Sequence, residues 1–311
     1  MLVIGMNNSK PLDIKLAPIV LFTYDRLQHT VQTITALQKN EYASESDLIV
    51  YSDAPKNNES KERVENTRRY LNSITGFKSV SVVAREENFG LANSIIDGVT
   101  TVVNKYGRII VLEDDLITSP FFLKYMNESL EIYKNDTQVA CIHGYVYPIK
   151  KKLPDTFFLK GADCWGWATW RRGWEVFNPD GESLLKELER QKLTKKFDFD
   201  GSYPYTKMLR KQIKGVTNSW AIRWYASAFL NNKFTLYPNK SLIYNSGNDG
   251  SGTNCVQSNT FEVEMSSIPI NVELIKIEES KNAKKEIIHY FRYTSKLIRL
   301  KDLLKNLWKK S

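Results

Sequence analysis

The chain has 311 residues, of which 42% are apolar, 12% aromatic and 25% charged. This composition is typical of a globular protein and too rich in aromatic residues for a disordered one. Three widely spaced cysteines form no disulfide framework, and there is no apolar run of about 18 residues that could span a membrane. We therefore expect a cytoplasmic protein without a signal peptide or a membrane-spanning helix.

The first 115 residues alternate between strand-like and helix-like patterns. Apolar runs predict strands at 17–23, 47–51, 79–84 and 108–112, separated by helices at 28–38, at 60–71 and from the segment 88–93 to about 103. This order predicts an α/β fold with a mainly parallel, Rossmann-like sheet, whose ligands bind at the carboxyl ends of the strands. No glycine-rich dinucleotide motif or P-loop is present.

The alternation fades after residue 115. The pattern there predicts a helix at 121–134, a strand at 138–145, a Trp-rich loop at 161–174, helices at 183–192 and 218–231, strands at 234–238 and 240–246, a Gly/Ser loop at 247–253 and an extended tether at 256–280.

The positive charge is concentrated at the end of the chain. Lys and Arg number 44 against 35 Asp and Glu, and residues 281–311 carry +8 of the net charge of +9. Apolar residues such as Tyr290, Leu297 and Leu304 recur there at helical spacing, which predicts an amphipathic helix. This helix either lies on an anionic membrane or packs on its own domain or on a second copy. The nearly neutral body disfavours nucleic acid as a partner.

Three consecutive acids, Glu113, Asp114 and Asp115, directly follow the fourth predicted strand. Neighbouring carboxylates repel each other and are tolerated where a cation neutralises them. Oxygen ligands favour Mg²⁺ or Mn²⁺, which also bind phosphate oxygens. The cluster therefore predicts a metal–diphosphate site, and the alternative is a solvated acidic turn before a helix that starts at Pro120.

The order of these motifs resembles that of the nucleotide-diphospho-sugar glycosyltransferases with the GT-A fold, and within them the N-acetylglucosaminyltransferase I group and its bacterial relatives. Four features carry the resemblance: a buried strand followed by Asp-Arg, a strand followed by Ser-Asp, an Asn-x-Gly after the third strand, and Glu-Asp-Asp-Leu-x-x-Ser-Pro-x-Phe. It is strongest over 17–122 and weaker over 163–254. It implies a nucleotide-sugar-binding half at 1–116, an acceptor-binding half at 117–256, and a tether with the basic helix at 257–311.

The resemblance also implies a UDP-sugar donor, a Mn²⁺ or Mg²⁺ cofactor, and a glycan or lipid-linked glycan as acceptor. It makes Asp115 the metal ligand, places Asp53 against the uracil ring, and lets a loop at 247–253 close over the donor. The nucleotide-sugar-binding residues that it implies are Thr23, Asp25, Arg26, Asp53, Asn88, Glu113, Asp114, Trp167, Gly250 and Ser251.

Four Trp residues lie between 165 and 174. Aromatic rings stack on the apolar faces of sugars, so this segment predicts a sugar-binding wall. The alternative is a cluster of core side chains. A Gly-Trp at the same place in the related transferases favours Gly166 and Trp167 as site residues.

An inverting transferase needs a general base for the acceptor hydroxyl. The related enzymes carry an acidic pair after a Trp, whereas here Trp220 is followed by Ala221 and Ile222. We predict that Asp163 is the catalytic base because it borders the Trp segment, with Asp249 as the second catalytic candidate. The remaining acidic candidates are Asp198 and Asp200, and the choice between an inverting and a retaining reaction stays open.

These patterns predict an inverting, metal-dependent glycosyltransferase that moves a sugar from a UDP-sugar to a glycan hydroxyl during bacterial surface polysaccharide synthesis, peripherally bound to the cytosolic face of the membrane. One alternative is a sugar nucleotidyltransferase, which the lack of glycine in the segment 23–26 disfavours. The other is a catalytically silent nucleotide- or glycan-binding module, which the absent acidic pair favours.

Overall fold

The computed structural model describes residues 14–249 and 259–308, with the side chains of 14–247 and 260–296. The strands of this part of the chain are β1 (Ile19–Thr23), β2 (Asp47–Ser52), β3 (Ser79–Ala84), β4 (Arg108–Glu113), β5 (Leu116–Thr118), β6 (Val139–His143), β7 (Thr156–Lys160), β8 (Trp167–Trp170), β9 (Phe234–Pro238) and β10 (Ile243–Asn245). Its α-helices are α1 (Leu27–Gln38), α2 (Asn58–Leu71), α3 (Gly90–Tyr106), α4 (Phe122–Ile132), α5 (Arg171–Trp174), α6 (Gly181–Arg190), α7 (Thr194–Phe197), α8 (Tyr205–Ile213), α9 (Trp220–Leu230) and α10 (Lys281–Trp308).

One sheet of eight strands organises the described part of the chain, in the order β3-β2-β1-β4-β8-β6-β9-β7. The first four strands pair in parallel, β8 and β7 run in the opposite direction, and β6 and β9 pair in parallel. A small antiparallel sheet of β5 and β10 lies beside it. The predicted α/β fold with a mainly parallel, Rossmann-like sheet is confirmed.

Both faces of the sheet are covered, which explains the unbroken apolar runs of the central strands. Successive side chains point to opposite faces of a strand. Accordingly, Leu21 packs into a cluster with residues of α1 and α4, whereas its neighbour Val20 packs into a second cluster with residues of α3 and α9. The sheet thus has a helical layer on each side.

The second half of the chain departs most from the sequence prediction. The segment predicted as a Trp-rich loop contains β8 and α5. The sequence analysis predicted neither strand β7 nor helix α8. Gly161 and Gly166 both adopt positive φ, at 104° and 63°. They lie at the two ends of the bend between β7 and β8. Glycine is favoured there because it alone adopts these angles without strain.

The predicted amphipathic helix near the end of the chain is α10. In its first half Ala283, Ile287 and Phe291 are buried in a third apolar cluster with residues of β7 and α9. The first half of α10 therefore packs on the chain's own body. Within 14–249 and 259–308, no helix is both long enough and apolar enough to cross a membrane.

Candidate functional site

The order in which strands are added to the sheet reverses at β1. The chain leaves β1 for β2 on one side, and β4 later pairs with the other side of β1. Ligands of open α/β sheets bind in the crevice that such a switch creates at the carboxyl ends of the strands. Phe22 pairs with Glu113 in this register, so the residues after β1 and those after β4 meet at the same edge.

Arg26 and the acidic triplet meet in this crevice. Nη2 of Arg26 donates to Oδ1 of Asp114 and, over 2.8 Å, to Oδ2 of Asp115. The backbone of the triplet is fixed as well: the Asp114 carbonyl accepts from Thr33 Oγ1 at 2.8 Å, and the Asp115 carbonyl accepts from Ser246 N at 2.9 Å. The structure thus brings together four residues that the sequence analysis assigned to the donor and the metal.

Burial and mutual repulsion dominate the electrostatics of the triplet. Burial, followed by the charges of Asp115 and Asp114, raises the pKa of Glu113 to about 8. Burial raises the pKa of Asp114 to about 6, although the guanidinium of Arg26 opposes that rise. Burial acts to lower the pKa of Arg26, but Asp114 and Asp115 outweigh it and raise the pKa above its usual value. Arg26 pairs with only Asp114 and Asp115, and the raised pKa values of Glu113 and Asp114 reflect a repulsion that a further cation would reduce.

The donor set of this crevice fits a hard divalent cation. A Cβ added to Gly247 would overlap Oδ2 of Asp115, so only glycine lets the backbone lie against this carboxylate. Among the described residues, no three His, Cys, Asp or Glu side chains form a metal-binding group. Mg²⁺ is commonly held by only one or two carboxylates, with water and substrate phosphates as its other ligands. Asp114 and Asp115 supply two such carboxylates.

Asp53 lies at the end of β2, where its carboxylate accepts four hydrogen bonds. The donors are the backbone N–H groups of Ala54 (3.0 Å), Phe89 (2.9 Å) and Gly90 (2.9 Å) and the side-chain amide of Asn88 (3.3 Å). Its side chain therefore fixes the N-terminal end of α3, where a negative charge is favoured. The predicted contact with uracil requires that one of these bonds be exchanged.

Two more residues that the sequence analysis assigned to the nucleotide lie after β1 and at its end. Asp25 accepts from Nε (2.9 Å) and Nη2 (2.8 Å) of Arg63 on α2. Thr23 is buried, and its hydroxyl faces the carbonyl of Tyr51 at 3.5 Å. Asp25 and Thr23 line the same edge as Arg26, and their predicted contact with the nucleotide stays a prediction.

The structure corrects the assignment of Trp167 to the sugar site. Its side chain is 0% exposed and packs among Trp174, Trp220 and Trp224 at centroid distances of 5.5–5.8 Å. No face of its ring is open to a ligand, because β8 is an inner strand with helices over it. The half-buried Trp165 is the more open ring, and it packs edge-on against Tyr145.

Asp163 lies just before β8, at the edge of the sheet that also holds Glu113. Its carboxylate accepts from Cys164 N at 2.8 Å and from the Tyr237 hydroxyl at 3.1 Å. His143 Nε2 lies 3.7 Å away but accepts from Trp165 N, and burial lowers the pKa of this imidazole, so it stays neutral. Asp163 is therefore an oriented carboxylate that no described Lys or Arg neutralises.

A small cavity of about 90 Å³ opens beside Asp163. Its lining combines apolar side chains such as Phe199 and Met208 with the hydroxyl-bearing side chains of Tyr147, Tyr205 and Tyr237. Burial and the charges of Asp163 and Glu113 raise the pKa of the Cys164 thiol well above its usual value. Cys164 thus lies close enough to both carboxylates for their charges to affect its thiol.

The other acidic candidates are placed differently. Asp198 accepts from the backbone N–H (2.6 Å) and the hydroxyl (2.8 Å) of Thr206, which fixes the start of α8. Asp200 lies in a turn with a φ of 54°. The side chain of Asp249, and Gly250 and Ser251 entirely, lie outside the described residues. The sequence analysis missed Tyr237 and named Trp165 only as one of four Trp, since nothing in the local pattern separates these two residues from core aromatics.

No family model matches the chain, and no curated protein matches it. Solved structures do resemble it. Residues 1–349 of S. aureus TarS match with a TM-score of 0.40 and 11% identity over 75% of this chain, which spans 60% of that fragment. A mannosyltransferase of Pyrobaculum calidifontis, PcManGT, solved with GDP-Man and Mn²⁺, matches with a TM-score of 0.35 and 12% identity over 58% of this chain and 50% of its own.

A third similar structure is the glucosyl-3-phosphoglycerate synthase of Mycobacterium tuberculosis, solved with Mn²⁺, UDP and glucosyl-3-phosphoglycerate. It has a TM-score of 0.32 and 11% identity, over 57% of this chain and 67% of its own. The chain spans less than two thirds of the TarS structures, at 60% and 37% of their lengths. The α/β sheet predicted with the GT-A fold is present, and no finding singles out the N-acetylglucosaminyltransferase I group.

Proposed function

We propose that this chain is a divalent-cation-dependent glycosyltransferase that moves a sugar from a UDP-sugar to a hydroxyl group of a glycan. The observation that carries the proposal is the meeting of Arg26 with Asp114 and Asp115 at the switch point of the sheet. This crevice is where the fold binds ligands, and its excess of acid is what a cation with a bound diphosphate would neutralise.

The chain's own side chains have distinct roles in this proposal. Asp115, with Asp114, would hold the cation, and Gly247 keeps the space beside Asp115 open. When bound, the cation would stabilise the negative charge that develops on the leaving diphosphate. The N-terminal end of α1, which starts directly after Arg26, would favour the phosphates as well.

Asp163 is the proposed general base of an inverting transfer. The acceptor oxygen would form a bond to the anomeric carbon while the bond from that carbon to the UDP oxygen breaks, and the acceptor proton would move to the Asp163 carboxylate. Tyr237 orients this carboxylate through a hydrogen bond of 3.1 Å. Asp249 remains the second candidate for this role.

The first test is the variant Asp115→Asn. We expect it to abolish Mn²⁺-dependent turnover of UDP-sugars, measured as UDP release, because a neutral amide is a poor ligand for a hard cation. The control Asp136→Asn removes an acid that precedes β6, at the opposite edge of the sheet, and should retain full turnover. Full turnover in Asp115→Asn would contradict the assignment.

The same assay on the unchanged chain distinguishes the proposed enzyme from a catalytically silent binding module. A silent module would be stabilised against heat by UDP and Mn²⁺ but would release no UDP from any UDP-sugar, with or without acceptor. The absence of an acidic pair after Trp220 is the observation that favours this alternative.

We also propose that the acceptor is a glycan or lipid-linked glycan of a bacterial surface polysaccharide, and that the end of the chain binds an anionic membrane surface. The first half of α10 packs on the body, so residues 297–311, with five basic residues against Asp302, are the part of the sequence suited to this contact.

Removal of residues 297–311 tests the membrane proposal. We expect the full chain to sediment with phosphatidylglycerol vesicles and not with phosphatidylcholine vesicles, and the shortened chain to stay in the supernatant, because the charge and apolar surface needed for binding are lost. The buried part of α10 is retained, so the melting temperature should hardly change. Continued sedimentation of the shortened chain would exclude this role.

A further inference from the structure

Arg26 holds the two acids in an unusual way. A well-placed Arg–carboxylate pair uses two nitrogens in parallel. Here Nη2 alone serves both Asp114 and Asp115, while the buried Nη1 has no hydrogen-bond partner among the described residues. One donor group of the guanidinium is thus unused in the crevice itself, and the side chain keeps 21% of its exposure. The present pairing does not satisfy the guanidinium.

Among the described side chains, Arg26 forms ion pairs with Asp114 and Asp115 alone. It is the residue before α1, where the helix end is positive, and no acid lies in the first turn of that helix. A cation is disfavoured at this end, whereas phosphate groups are favoured. Asp114 and Asp115 are therefore what holds the guanidinium in place.

A divalent cation and the guanidinium compete for the same oxygens. Oδ2 of Asp115 is already engaged by Nη2 at 2.8 Å, so a cation bound to this oxygen would lie within a few ångströms of a second positive charge. Their repulsion disfavours joint occupancy. A diphosphate reverses this situation, because it gives the displaced guanidinium a new anionic partner at the N-terminal end of α1.

We propose that Arg26 is the resident counter-ion of Asp115 that a divalent cation must displace, and that a nucleoside diphosphate makes this exchange favourable by pairing with the displaced guanidinium. The inference rests on the proposed function and deepens it. The cation and the nucleotide then bind with positive coupling, and each increases the affinity for the other by the same factor. Arg26 is the residue that produces the coupling.

The experiment measures the binding of Mn²⁺ to the full chain, without and with UDP, by the loss of the free-ion signal in electron paramagnetic resonance. We expect Arg26→Gln to bind Mn²⁺ alone about tenfold more tightly than the unchanged chain, and the gain in Mn²⁺ affinity that UDP produces to shrink by a similar factor. The control is Arg190→Gln, which removes an exposed guanidinium paired with Glu187 on α6. It should change neither quantity.

Two further variants keep the outcome decisive. Asp115→Asn in the Arg26→Gln background should remove Mn²⁺ binding, which ties the signal to this carboxylate. Arg26→Lys retains the charge and should bind Mn²⁺ as weakly as the unchanged chain. Thermal unfolding gives a second readout: loss of Arg26 leaves the acids unpaired, so Mn²⁺ should raise the melting temperature more in Arg26→Gln than in the unchanged chain.

Equal or weaker Mn²⁺ binding by Arg26→Gln would overturn the inference. So would a gain on addition of UDP that is the same with and without Arg26. If the chain binds UDP but Mn²⁺ has no coupled site, the inference fails while nucleotide binding stands. If UDP and UDP-sugars do not bind under any condition, the proposed function itself fails.

Discussion

At the scale of single residues, the acids at the strand ends have different roles although they look alike in the sequence. Asp53 and Asp114 both follow apolar strands. The Asp53 carboxylate accepts three hydrogen bonds from the start of α3 and one from the backbone N–H of Ala54, whereas Asp114 is held by the side chain of Arg26. A pattern of residue types reveals that an acid follows a strand, but the donors that surround it are set by the packing of distant segments.

The role of Asp53 leads to a stability prediction. We expect Asp53→Asn to lower the free energy of unfolding by about 1–3 kcal/mol, because an amide replaces an acceptor oxygen and leaves at least one buried N–H unpaired. Urea unfolding followed by circular dichroism measures the change. Asp47→Asn, at the half-buried start of the same strand, is the control and should shift the value by no more than about 0.5 kcal/mol. Equal effects of the two variants would contradict the role in fixing α3.

At the scale of elements, the Trp segment shows what periodicity leaves undecided. Trp167 and Trp170 are three residues apart and lie on opposite faces of β8, yet both are buried because helices cover both faces of the sheet there. A sugar-binding wall and a buried inner strand have the same composition. The half-buried Trp165 differs from them only by lying two residues before the inner part of β8, which no local signal marks.

Helix α10 provides the matched pair for a packing prediction. Phe291 is 1% exposed and Tyr293, two residues later, is 57% exposed. We expect Phe291→Ala to cost about 3–5 kcal/mol of unfolding free energy, because it removes a large ring from a close-packed cluster. Tyr293→Ala should cost no more than about 0.5 kcal/mol. Calorimetric or urea unfolding of both variants checks this, and a small effect of Phe291→Ala would mean that α10 is not part of the folded core.

At the scale of the whole molecule, the first half of the chain was predictable and the second half less so. The predicted strand at 79–84 has the same bounds as β3, and the predicted helix at 28–38 is α1 less its first residue. Parallel strands that alternate with helices give strong periodic signals. The segment from β6 to β9 mixes strand directions and non-neighbouring pairs, and such pairings depend on contacts between residues far apart in the sequence.

The candidate site was predictable to a similar degree. The neighbourhood of Arg26 and Asp115 follows from their places at the ends of β1 and β4, which the sequence indicates. The overlap of a Gly247 Cβ with Asp115, and the bond from Tyr237 to Asp163, join segments more than 70 residues apart. Contacts of this kind arise only once the sheet has assembled, and no spacing in the sequence encodes them.

The sheet runs without a break from β3 to β7, and β4 of the first half shares its second edge with β8 of the second. A cut after residue 116 would therefore leave one side of β4 without a hydrogen-bonding neighbour. It would also expose apolar side chains of β4 that the second part of the chain covers. The segments on the two sides of residue 116 contribute to one sheet and therefore cannot be exchanged independently. A redesign that replaces either segment has to rebuild the pairing between β4 and β8 as well.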